Sequence, residues 1–309
     1  MTLPRITIIT PNLHHGAYLE RAICSVLDQG YENLEYMVVD TGRDEKARQT
    51  IRRYAAHLSW WRSASDNGPA DAINRALTRM TGQIVGILPS NGLYLPGTLQ
   101  AVADRMASSN SPRWIAGHCA RVDEQHQELG QVTASSPRSI VDFLMHNSGQ
   151  LPTAATFYHR QIFEAHGRFD EQLRDAYSYE MSCRLLVAGL TPTILPQTLA
   201  VEHEQTDSVG WERTLQRGLE YVEAAQRFAD HLPIKQRYAL WRNCDERRRI
   251  YALAQAEAHA NEARRFLWQQ LLRRPWWLAS ERYRRVLLGG AGHPAAVPPL
   301  EHGPSRHAA

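Results

Sequence analysis

Residues 5–40 open with Arg5-Ile6-Thr7-Ile8-Ile9-Thr10-Pro11-Asn12 and close with Leu34-Glu35-Tyr36-Met37-Val38-Val39-Asp40. The β-branched run Ile6–Thr10 reads as a buried strand that ends in a turn at Pro11-Asn12. From Ala17 to Gln29 the apolar residues Leu19, Ile23, Val26 and Leu27 recur at helical spacing, and Gly30 closes the helix. A second strand runs from Leu34 to Val39 and stops at Asp40. Helices over Ala47–His57 and Ala70–Met80 and a strand over Gln83–Leu88 continue the alternation. Strands and helices alternating at this length predict an α/β fold with a mostly parallel sheet and right-handed crossovers. Ligands of such sheets collect at the carboxyl ends of the strands, where Pro11, Asp40 and Ser90 fall.

After Pro96 the texture changes. Leu99–Met106 reads as helix, Trp114–Val122 as strand, 132–138 as a polar loop and Leu151–Tyr158 as strand. A helix from Arg160, a turn at 167–170, a helix over Tyr179–Ala188 and a strand within Thr193–His203 follow. From Trp211 to Leu288 the pattern is almost wholly helical. The stretch 289–309 is rich in Gly, Pro, Ala and His and is expected to be disordered.

The bulk numbers exclude several classes. An apolar share of 43% and a charged share of 22% over 309 residues suit an ordinary globular protein. A net charge of +3 is too mild to argue for nucleic acid. The four cysteines form no Cys-x-x-Cys pair, so a reducing cytosol is expected. Nothing at the N-terminus reads as an export signal, and no apolar run approaches the roughly 20 residues of a spanning helix.

A second block, Asp66-Asn67-Gly68-Pro69-Ala70-Asp71-Ala72-Ile73-Asn74, matches Asp-x-Gly-x-x-Asp-Ala-x-Asn without a gap. With residues 5–40, Leu93–Leu99 and 154–190, it makes the chain resemble an inverting family 2 glycosyltransferase over roughly two-thirds of its length. The resemblance implies a GT-A type nucleotide-diphospho-sugar transferase fold. It divides the chain into a nucleotide-sugar-binding half (1–98), an acceptor-binding half (99–210), a helical C-terminal extension (211–288) and a tail (289–309). It also implies a UDP-type nucleotide-sugar donor. Thr10, Pro11 and Asn12 would meet nucleoside and phosphate, and Asp40 the base edge. Asp66, Gly68, Asp71 and Asn74 would form a further wall, with Ser90 and Asn91 by the diphosphate. Carboxylates accept from base and ribose donors, and a helix start favours phosphate. Taken without the resemblance, Asp66 and Asp71 each read more readily as helix caps than as nucleotide ligands.

The chain also departs from that family. Where the family carries metal-binding carboxylates, it reads Leu88-Pro89-Ser90-Asn91-Gly92. Mg²⁺ and Mn²⁺ need anionic oxygen ligands, so a weak dependence on either is expected. His203, in Glu202-His203-Glu204-Gln205-Thr206-Asp207-Ser208, matches the histidine that completes the family's metal site. His14 and His15 either meet the diphosphate or are plain loop residues. The helix whose first Asp is the family's general base reads Tyr177-Ser178-Tyr179-Glu180-Met181. Ser178 cannot take that proton, and Glu180 lies two residues on, about 200° around a helix. Asp175, on the preceding loop, is the other candidate base.

Between Ala263 and Leu288 seven arginines stand against Glu281, interleaved with Trp268, Trp276, Trp277 and Tyr283. That composition suits either an interfacial membrane segment or helices packed on the core. No groove-reading motif supports nucleic acid. The expected function is sugar transfer from a nucleotide-diphosphate donor to a glycan or lipid-linked acceptor in bacterial-type surface polysaccharide assembly. The expected location is cytoplasmic, at the inner face of a membrane. The second reading is a catalytically inactive transferase-like module that binds nucleotide, glycan or a partner enzyme.

Overall fold

A computed structural model describes residues 3–12, 16–42, 44–107, 114–146, 151–203, 211–258 and 260–288. The chain forms two compact units, one of Met1–Arg138 with Gly149–Thr206, the other of Ser139–Ser148 with Asp207–Ala309. Both expected halves, 1–98 and 99–210, contribute strands to a single sheet in the first unit.

The strands are β1 (Ile6–Asn12), β2 (Leu34–Asp40), β3 (Trp60–Ser63), β4 (Ile84–Ile87), β5 (Gly92–Tyr94), β6 (Trp114–Val122), β7 (Glu128–Val132), β8 (Thr156–His159) and β9 (Thr193–His203). Their order is β3-β2-β1-β4-β8-β6-β9-β5, with β7 paired to β6. The first four strands are parallel, as the alternation predicts. Beyond β4 the sheet is mixed, because β8 runs antiparallel to both β4 and β6, while β6 and β9 are parallel. Every residue of β1 is buried, as a strand covered by helices on both faces requires.

Helix α1 (Gly16–Leu27) packs Leu19, Ile23 and Val26 into the core beside Ile6, Ile8 and Val38. Gly30 follows it at φ 58°. Helix α2 (Glu45–Tyr54) is capped by Asp44, whose Oδ1 accepts from the Lys46 amide at 2.9 Å. Helix α3 (Pro69–Leu77) places eight of its nine residues in the interior. Helices α4 (Thr98–Ala107), α5 (Ile140–His146), α6 (Gln161–His166) and α7 (Tyr177–Val187) complete the middle of the chain.

Five elements differ from the periodicity reading. β3 and β5 are short, and β5 begins on glycine, so only pairing with β2 and β9 defines them. β7 and α5 occupy stretches that carry no clear alternation. The expected strand over Leu151–Tyr158 begins only at Thr156, because Pro152 leads into a 3-10 turn.

The second unit contains α8 (Trp211–Arg227), α9 (Ile234–Ala258), α10 (Ala260–Arg273) and α11 (Glu281–Leu287). Pro233 and Pro275 interrupt the expected helical run, since proline lacks the amide that a helix interior needs. Leu267, Trp277, Tyr283 and Val286 pack with Leu253 in this unit's own core. The Tyr283 hydroxyl donates to the Leu267 carbonyl at 2.6 Å. Trp268, Leu272 and Trp276, in contrast, remain 54%, 88% and 47% exposed. One side of the segment thus packs within its own unit, and the other is bare. No helix among the described residues is long and apolar enough to cross a membrane. The tail 289–309 lies outside the described residues.

Candidate functional site

Parallel pairing of β1 with β2 brings Asn12 opposite Asp40 at the carboxyl edge of the sheet. Asp40 is 1% exposed. Its Oδ1 accepts from Asn12 Nδ2 at 2.8 Å, and its Oδ2 from the Gly42 amide at 2.9 Å and Ser63 Oγ at 2.6 Å. A carboxylate has about four acceptor positions, so the carboxyl group is held rigidly with room for one more donor. Thr10 is turned inward, its hydroxyl 3.0 Å from that of Tyr36. Pro11 pairs with Val39, and its carbonyl accepts from the Ser90 amide at 3.2 Å. That bond brings Ser90 and Asn91 beside the end of β1, about one strand spacing away.

The 66–74 block resolves into different roles. Gly68 precedes α3 at φ 134°, a conformation that a side chain would strain. Asp71, at the third helical position, accepts from the Asn67 amide at 3.0 Å and pairs with Arg75 at 2.8 Å. It performs the helix-start role, and although burial alone would raise its pKa, these partners bring it below the usual carboxylate value. Asp66 caps nothing. Its side chain is fully buried, in contact with Arg62 and 3.1 Å from Arg75 Nε, and burial raises its pKa despite both cations. Asn74 spends its amide inside the fold, donating to the Phe169 carbonyl at 2.8 Å and Glu171 at 2.9 Å and accepting from the Phe169 amide at 3.1 Å. It therefore ties the 167–175 segment to α3, with both donor contacts spent inside the fold.

Asn91 and His203 meet, as their expected roles require. The His203 amide donates to the Asn91 carbonyl at 3.0 Å, Asn91 Nδ2 donates to the His203 carbonyl at 3.0 Å, and His203 Nδ1 lies 3.2 Å from the Asn91 carbonyl. The His203 ring lies against Tyr18 and His126, with centroids 4.9 and 5.0 Å away. Arg21, on α1, is bonded to His126. Burial, chiefly, lowers the His203 pKa, and Arg21 and His126 act in the same direction. Three buried polar atoms in the predicted site have no hydrogen-bond partner among the described residues: Asp66 Oδ2, Ser90 Oγ and His203 Nε2.

These residues do not fit a resident divalent cation. Asn91 is neutral, Gly92 has no side chain, and a guanidinium stands beside His203. Among the described residues no three His, Cys, Asp or Glu side chains converge as a metal site. Glu204 and Asp207, like His14 and His15, lie outside the described residues.

Glu180 is 8% exposed and gives both carboxylate oxygens to Arg184, Oε1 at 3.1 Å from Nε and Oε2 in closer contact with Nη2. Arg184 also donates to the carbonyls of His166 and Arg168, at 2.7 and 2.9 Å. Glu180 is thus a structural tie. Asp175 lies in the turn before α7, and a Cβ on Gly68 would come 3.8 Å from Cγ of the adjacent Arg174. The acceptor-side turn accordingly borders the start of α3. Sequence reasoning missed Arg62 and Arg75, although their spacing of four residues from Asp66 and Asp71 was visible. It also missed Arg21 and His126, which no local signal connects.

A model described as "Glycosyl transferase family 2" matches residues 7–166. The chain spans about half the length of the curated relatives it matches. One is the succinoglycan biosynthesis protein ExoU of Rhizobium meliloti, 26% identical over 188 residues, covering 55% of this chain and 54% of that one. Two solved structures share the fold. A mannosyltransferase from Pyrobaculum calidifontis, in complex with GDP-Man and Mn²⁺, gives a TM-score of 0.55 at 18% identity, over 93% of this chain and 84% of that one. S. aureus TarS 1–349, in complex with UDP-GlcNAc, gives 0.56 at 12% identity, over 92% and 90%.

Proposed function

Because the chain belongs to glycosyl transferase family 2, we propose that it moves a sugar from a nucleotide-diphosphate donor to a hydroxyl of a glycan or lipid-linked acceptor. The acceptor oxygen attacks the anomeric carbon from the face opposite the diphosphate. The bond from that carbon to the phosphate oxygen breaks, its electron pair leaves with the nucleoside diphosphate, and the acceptor proton passes to a carboxylate. The product has inverted configuration. The observation that carries this reading is the set of unpartnered buried atoms on Asp66, Ser90 and His203. Each costs about 1–3 kcal/mol in an empty fold, and a polar ligand relieves that cost.

Asp40, with Asn12 beside it, holds the base edge, and Asp66 the neighbouring ribose or base donors. Ser90 and Asn91 border the diphosphate, and Asp175 takes the acceptor proton. Surface polysaccharide assembly is supported by the likeness to ExoU. No observation favours the inactive alternative. The two structural neighbours hold different bases, so uridine and guanosine donors both belong in the test. Calorimetry against UDP, GDP, ADP and dTDP, with and without Mn²⁺, is expected to find one that binds below millimolar concentration and changes little on chelation. No binding by any of them would overturn the donor-site reading.

The exposed face of α10, with Arg265, Trp268, Leu272 and Arg273 at helical spacing, has the charge and aromatic character to dock on an anionic membrane surface. Replacing Trp268 and Leu272 by Ser is expected to release the folded protein from phosphatidylglycerol vesicles in a sedimentation assay. Undiminished sedimentation would remove the membrane role.

A further inference from the structure

We propose that Arg21, positioned by His126, is the cation that grips the donor's diphosphate in the place where a divalent metal would otherwise stand. The inference rests on the nucleotide-sugar reading above and adds a residue that no motif supplied. A diphosphate leaving group gathers negative charge as the anomeric bond breaks, and some positive group must meet it. Asn91 and Gly92 cannot anchor a cation that would do so. The structure instead sets a permanent charge at the same end of the sheet.

Arg21 lies on the second turn of α1, three residues from Tyr18, whose ring packs on His203. His203 is bonded to Asn91, and Ser90 to the end of β1, so the guanidinium belongs to the cluster beside the predicted diphosphate position. Arg21 is exposed, and among the described residues its hydrogen-bond partner is His126. That contact uses part of a five-donor fork and leaves the rest for phosphate oxygens, which it can meet in pairs. His126 itself sits at φ 65°, outside the usual range for a side-chain-bearing residue, at the β6–β7 turn. The turn's unusual backbone presents its ring to both Arg21 and His203. The second, independent sign of a ligand is His203, 2% exposed, whose Nε2 has no partner within the same cluster.

A charge that acts on the diphosphate should be invisible to a nucleoside monophosphate. The test therefore measures affinity for the tightest-binding of UDP, GDP, ADP and dTDP and for its monophosphate, in wild type and in Arg21→Ala, Arg21→Lys and His126→Ala, each with EDTA. Wild type is expected to prefer the diphosphate and to keep that preference in EDTA. Arg21→Ala should weaken diphosphate binding by about ten- to a hundredfold and alter monophosphate binding less than about threefold. Arg21→Lys should fall between, because an ammonium cannot form the paired contacts. His126→Ala should lose part of the preference. Arg21→Ala retaining the preference, or wild type losing it in EDTA, would overturn the inference while leaving the donor site standing. Failure of wild type to bind either nucleotide would overturn the donor-site reading and this inference with it.

Discussion

Asp175→Asn is expected to lower kcat by about 10²- to 10⁴-fold, the usual contribution of a general base, with nucleotide affinity unchanged. The acceptor hydroxyl has to lose its proton as it attacks, and the resemblance puts Ser178, which cannot take it, at the family's base position. Glu180 is not a substitute, because both its oxygens are bound to Arg184 in a largely buried pair. Asp175 is the other candidate base, and its place carries the assignment: it lies on a turn that Asn74 and Arg174 bring against the start of α3. Initial rates across acceptor concentration, beside calorimetric donor affinity, separate the chemical step from binding. Glu180→Gln serves as the contrast. Breaking its ion pair should cost about 3 kcal/mol of stability and lower the melting temperature. A wild-type kcat in Asp175→Asn, or a collapse of kcat in a still stable Glu180→Gln, would move the base role away from Asp175.

Asp40→Ala is expected to weaken nucleotide binding by about 10- to 150-fold, equivalent to about 1.5–3 kcal/mol for a hydrogen bond to a buried charge. The carboxylate is held by Asn12, Gly42 and Ser63, so it meets the ligand without first being ordered. Removing it also leaves those three donors unsatisfied, which should lower stability. Calorimetry is therefore run well below the variant's melting point, with thermal unfolding as the control. Affinity within about threefold of wild type would mean that the nucleotide does not lie at the end of β2.

Much of this protein was determined by short-range pattern. The alternation of Ile6–Asn12, Leu19–Leu27 and Leu34–Asp40 specified parallel strands with covering helices, because the periods of strand and helix are set within a few residues. The same local order put Asp40 and Asn91 near strand ends and Asp66 just ahead of a helix start, and the family resemblance marked Asn91 and Gly92 as standing where that family has carboxylates. Local order could not tell whether either of two similar carboxylates caps a helix. Neither caps α3: Asp71 sits in its first turn and accepts from the Asn67 amide, and Asp66 is left buried between Arg62 and Arg75. Nor could it show that Glu180 is occupied by Arg184, or that Asn74 is occupied by a turn 95 residues away. The resemblance had put His203 and Asn91, 112 residues apart, at one site, but their mutual hydrogen bonds and the contact of Arg21 with His126, 105 apart, came only from the tertiary structure. Contacts at that separation are set by the order and register in which β5, β6, β7 and β9 pair, and such pairing leaves no period in the chain.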